Sequence, residues 1–204
     1  MSEATPPPSA DSPLAMRLLI VLFIPCCWLA MQTVHEFGHV AGGWVAGAQV
    51  KGVVLNPIDF SRTDFTSNPQ PLITVWAGPV LGVVLPVAAW LVLSQFHMTE
   101  AFLARFFAGF CLIANGTYLG FGWTIGAGDA GVMLQEGSPV WSLVAFGLIC
   151  IPTGLACWHG QGGHFGIGRN RTPVAWRTVT VAGGVLAATL SLNLLVTYQL
   201  PQLL

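Results

Sequence analysis

His35, Glu36, Phe37, Gly38 and His39 form a His-Glu-x-x-His run, the arrangement in this chain whose residue types and spacing could do chemistry together. In a helix, positions i and i+4 share a face, so both imidazoles can reach one metal ion while Glu36 addresses a water bound to it. The run stands inside a long apolar stretch. An ionisable residue in hydrocarbon costs several kcal/mol and persists only where it is paired, ligated or open to a wet cavity. The rival accounts are two packing histidines beside a Glu36 neutralised by burial, and haem ligation, which wants its histidines on different helices.

The elements that must position these residues follow from composition. Of 204 residues, 7 are Lys or Arg and 8 are Asp or Glu, a charged share of 7%, where a soluble domain carries roughly a quarter. Hydrophobic residues make up 54% of the chain, and the mean hydropathy is +0.70. A net charge of −1 without a basic run excludes nucleic acid as a partner. The five Cys lie in apolar runs without C-x-x-C spacing and read as small buried hydrophobes. A bilayer core of about 30 Å needs about 20 apolar residues in a helix, and stretches 14–46, 72–96, 101–122, 140–157 and 174–200 meet that need. The expected fold is an all-α polytopic membrane protein of about five transmembrane helices, with a short membrane-associated β-hairpin or loop after the first. Residues 1–13, polar and Pro-rich, read as a disordered tail rather than a signal peptide. Residues 14–204 read as a single transmembrane domain, with a core over 14–136 and additional spans over 138–204. Pro25 should bend the first span, and the Gly-rich segment 159–171 reads as a linker.

Counting spans assigns each loop to a face. Arg17, Arg105, Arg169, Arg171 and Arg177 fall on the amino-terminal face, and Lys51 and Arg62 on the far one, so the positive-inside rule favours a cytoplasmic amino terminus. At 1.5 Å per residue the histidine pair lies roughly 27 to 33 Å beyond Arg17, near the far face. A catalytic zinc site takes three protein ligands and keeps one position open, so a third donor is needed. His97, His159, His164 and Glu100 map to the wrong face. Asp59 and Asp64 share the far face but sit in a polar loop and read as solvated charges. Asp129, after the third span, has the right depth and is the expected ligand, with Glu136 in reserve; a helix cap is the other reading of Asp129. Gly116, Gly120, Gly122, Gly126 and Gly128 allow the third span to approach the first closely. Asn115 and Tyr118 read mainly as interhelical hydrogen-bonding groups that could also orient a ligand.

With His-Glu-Phe-Gly-His in one span, Ala77-Gly78-Pro79 in the next and Gly128-Asp129 after the third, residues 18–135 resemble the site-2 protease family of intramembrane zinc metalloproteases. The resemblance implies a three-span metalloprotease core, zinc held by His35, His39 and Asp129, and Glu36 as general base. It also likens the strand-forming VKGVVL (residues 50–55) to that family's membrane-associated hairpin. Three positions depart from the family pattern: Gly82 stands where an Asn often follows the Gly-Pro, and Gly128 and Ala130 flank the aspartate in place of Leu and Gly. The implied function is a multi-pass enzyme of the cell membrane that hydrolyses membrane-embedded or membrane-proximal protein or peptide substrates, an extended substrate adding to the VKGVVL edge. The alternative is an inactive protease-fold scaffold or chaperone that binds partner helices. The family usually keeps its site nearer the cytosol, whereas the arginine distribution puts the far face outside.

Overall fold

The computed structural model describes residues 13–203, with side chains through Thr197. In order, it comprises α1 (Pro13–Ala46), β1 (Gln49–Val54), β2 (Arg62–Ser67), α2 (Pro71–Gln95), α3 (Ala101–Gly122), α4 (Gly128–Gln135), α5 (Val140–Trp158), a 3-10 turn (Gln161–Phe165) and α6 (Trp176–Leu203). The expected tail lies outside the described residues except for Pro13, which opens α1. Helices α1, α2, α3, α5 and α6 are long and apolar enough to cross a membrane, where a helix satisfies all its backbone groups within itself. The chain is a multi-pass membrane protein with one two-stranded antiparallel hairpin after the first helix.

Helix α1 runs through Pro25 and stops where Gly47 takes φ 70°. There the Ala48 N–H reaches Gly43 O at 2.8 Å and the Gly47 N–H reaches Trp44 O at 3.4 Å, a Schellman closure that satisfies the last carbonyls and turns the chain into β1. The hairpin pairs Val53 with Thr63 and Gly52 with Asp64. Asp64 therefore belongs to a strand and not to a loop, with its carboxylate 3.3 Å from Arg62 Nε. Pro71, at the first position of α2 where no helical donor is lost, starts the return crossing.

In the bundle, α1 packs on α2 and α6, α2 on α3, and α3 on α5. Helices in lipid gain little from hydrophobicity, so they associate by close backbone approach. A Cβ at Gly147 of α5 would lie 2.8 Å from Gly120 Cα of α3, and one at Gly38 of α1 would lie 2.5 Å from Ala77 O of α2. Helix α6 is fixed to α1 by a polar contact, Thr33 Oγ1 to Asn193 Oδ1 at 2.8 Å. Large apolar side chains such as Trp44, Val45, Leu148 and Ile149 remain exposed and face the lipid.

The segment expected to be a linker is a packed plug at the amino-terminal face. Phe165 is buried among Phe23, Phe102 and Phe106, and Gln161 Nε2 donates to Cys157 O at 2.9 Å. Glu100 pairs with Arg177 at 3.2 Å, and Arg105 donates to the carbonyls of Ala156 and His159 that end α5. All this lies the length of α3, roughly 33 Å, from that helix's other end.

Gly147→Leu forces a side chain into α3 backbone and is expected to lower stability by about 1–3 kcal/mol. Gly184→Leu, built into open space, is the neutral control. Thermal unfolding in detergent checks both, and equal midpoints would remove the close-approach account of the α3–α5 contact.

Candidate metal centre

His35 and His39 lie one turn apart on α1 and lean into the cleft between α2 and α3. His39 Nδ1 is 2.8 Å from Thr74 O, a backbone carbonyl of α2. The ring fits because α2 has Gly78 there: a Cβ would collide with the imidazole. His35 Nδ1 is 2.7 Å from Asn115 Oδ1 on α3. Asn115 is buried and is turned by its own Nδ2, which donates to Cys111 O at 2.9 Å. Gly82 leaves the room for it, since a Cβ at that position would stand 3.1 Å from the Asn115 amide.

These contacts fix both tautomers. A carbonyl oxygen only accepts, so each Nδ1 carries a ring proton and each Nε2 is the atom turned to the cleft, a lone pair in the neutral imidazole and a donor to Asp129 in the imidazolium. The two Nε2 atoms are 3.1 Å apart. Asp129 Oδ2 comes within 2.9 Å of His35 Nε2 and 3.3 Å of His39 Nε2. Asp129 sits in the first turn of α4, where its backbone N–H donates to Tyr118 OH of α3 at 3.0 Å. Gly128, at φ 59°, admits that hydroxyl where a Cβ would clash.

Two imidazole nitrogens and one carboxylate oxygen thus converge from two elements. Donors 2.0 to 2.1 Å from a tetrahedral ion are separated by about 3.3 Å, and the observed edges of 2.9 to 3.3 Å approach that figure. Glu36, 4% exposed, offers an oxygen within 4.8 Å of the histidine donors, so the group could hold a metal ion with a carboxylate beside it. Above it opens a cavity of about 1000 Å³ bounded by α1, the hairpin, α3 and α4, with Trp28, Phe60, Phe121, Ile125 and Val132 among its walls.

Of the sequence candidates, the structure brings together His35, Glu36, His39 and Asp129. It leaves Glu136 exposed at the end of α4, Asp64 paired with Arg62, and His97, His159, His164 and Glu100 at the other face. Asn115 and Tyr118 do more than join helices: each holds one donor of the group. Thr74 contributes only a backbone carbonyl, which no residue type announces. The VKGVVL edge is covered, not free. Next to β1, the Leu55 N–H donates to Thr197 Oγ1 of α6 at 2.9 Å, and the strand that lines the cavity is β2, through Arg62, Thr63 and Phe65.

No family model, curated protein or solved structure matches this chain.

Asn115→Leu removes the acceptor that orients His35 and, if the group holds a divalent metal ion, is expected to weaken its binding about 10–100-fold, read by competition with a chromophoric chelator in detergent. His97→Ala is expected to bind as wild type. An Asn115→Leu protein with unchanged affinity would show that the amide orients nothing.

Proposed function

We propose that this chain is an intramembrane zinc metalloendopeptidase of the site-2 protease kind, in the cell membrane, acting on membrane-embedded or membrane-proximal polypeptides. The observation that carries this reading is the convergence of two imidazole nitrogens and one carboxylate oxygen, with a second carboxylate alongside, at the floor of a largely apolar cavity. Two imidazoles, one carboxylate and an open fourth position suit zinc in a catalytic rather than a structural setting. A zinc ion held there supplies Lewis acidity, polarising the scissile carbonyl and bringing the pKa of a bound water towards about 7.

The remaining work falls to the chain's own residues. His35, His39 and Asp129 would hold the ion, with Asn115, Thr74 and Tyr118 keeping them aligned. Glu36 accepts the proton of the attacking water and returns it to the leaving amine. The aromatic and aliphatic walls of the cavity accept apolar substrate side chains and exclude bulk water. A helical substrate hides its carbonyls in its own hydrogen bonds and must be extended before attack. Pairing along the cavity side of β2 satisfies the backbone groups thus freed.

Glu36→Gln in proteoliposomes is expected to retain about one zinc per chain and to lose about 10²–10⁴-fold in cleavage of a transmembrane substrate. Chelation should abolish wild-type cleavage and zinc restore it. About one bound metal per chain with no Glu36-dependent cleavage of any substrate would instead support the scaffold reading.

A further inference from the structure

The hairpin is fastened to one stripe of α1. Trp28, Gln32 and Glu36 follow at i, i+4 and i+8, one above another on the helix. Trp28 Nε1 donates to Pro57 O at 3.2 Å. The buried Gln32 amide donates to Asn56 O at 3.1 Å and accepts from the Ser61 N–H and hydroxyl, each at 2.8 Å. Gln32 thereby grips both ends of the connection between the strands and sets which residue of β2 comes next along the stripe. That residue is Thr63, whose Oγ1 lies 2.7 Å from Glu36 Oε2. Its other acceptor, Glu36 O, is at 3.5 Å, too long to compete.

We propose that Thr63 is a positioning residue for Glu36, its hydroxyl holding one carboxylate oxygen so that the other stays free to take a proton at the cavity floor. The inference rests on the proteolytic reading of the same site. A glutamate has three freely turning torsions, and in an apolar cavity there is no full water shell to fix it. The Thr63 contact has the length of a charge-assisted O–H···O bond, the kind that gives direction as well as attraction. It also ties the base to the strand along which the substrate lies. A substrate extended on β2 and the carboxylate that activates its attacking water are therefore held by one strand, and loss of the hydroxyl should disturb turnover more than binding.

The test uses the full chain in proteoliposomes, with Thr63→Val removing the hydroxyl at nearly constant shape and Thr63→Ser keeping it. Thr63→Val is expected to lower kcat about 10–100-fold with KM within about twofold, the size of effect a misplaced catalytic group produces. Thr63→Ser should stay within about threefold of wild type, and both should bind zinc as wild type does. Wild-type kcat in Thr63→Val, equal loss in both variants, or a loss confined to KM would each overturn the inference. A second measurement does not require cleavage: Thr63→Val should lower the thermal midpoint in the wild-type background and leave it unchanged in Glu36→Ala. Equal shifts in the two backgrounds would sink the Thr63–Glu36 link even in an active protease. A wild type without Glu36-dependent cleavage would end the proteolytic reading, and the thermal cycle would still decide the contact.

Discussion

Two imidazole nitrogens and a carboxylate oxygen held 2.9 to 3.3 Å apart inside a membrane bundle repel one another unless a proton or a metal ion sits among them. In water such repulsion would be screened and each lone pair hydrated. At the buried histidines, low polarity strengthens the repulsion and withholds the solvent. An imidazole could escape by moving its proton to Nε2 or by turning its ring. The contacts at Nδ1 close both routes, since Thr74 O and Asn115 Oδ1 each demand a donor at that atom. Tyr118 likewise fixes the backbone that carries Asp129. The surrounding helices thus preserve an arrangement that needs a positive charge among its three atoms, a proton shared with Asp129 or a metal ion.

Helix α1 meets these demands by dividing its faces. His35 and His39 look towards α2 and α3. Gly38 and Gly42 lie against α2, where their missing side chains bring the two backbones close enough for His39 to reach the Thr74 carbonyl. Trp28, Gln32 and Glu36 turn to the hairpin. What remains of the helix faces outward, through Phe37 beside the site and Trp44 and Val45 in the last turn, all exposed. The close helix contacts and the orientation of His39 are therefore one requirement: a wider α1–α2 spacing would part its ring from the Thr74 carbonyl.

Much of this was legible in the sequence, for identifiable reasons. The spans stood out because a bilayer imposes one length and one composition on every crossing. His35, Glu36 and His39 stood out because helical spacing converts sequence separation into a shared face, and depth along the spans then separated Asp129 from the histidines of the amino-terminal face. The hairpin is legible in its place after the first helix, but not in the extent of its second strand or in what covers the first. VKGVVL is apolar because α6 covers it, which made it resemble a strand awaiting a partner. The β2 sequence RTDFTS resembles a loop because it lies between a polar cavity floor and water, so neither face shows the alternation of a half-buried strand. Segment 159–171 resembles a linker by its glycines, whereas Phe165 and Gln161 seat it in the core.

The departure at Gly82 acquires a physical meaning from the packing. In the family that this chain resembles, an asparagine often stands at that position of the second span. Here the space that such a side chain would enter is taken by the Asn115 amide arriving from α3. A larger residue at 82 and an asparagine at 115 compete for one volume, so glycine on α2 and the amide on α3 belong to a single arrangement. That arrangement also settles which helix orients His35. An amide from α3 comes from the helix whose far end, through Tyr118, holds Asp129. His35 and Asp129 are consequently aligned by one rigid element, and His39 by the backbone of α2. A rotation of α3 would move the acceptor of His35 and the support of Asp129 together, so the donor triangle is more tightly bound to α3 than to any loop at its rim.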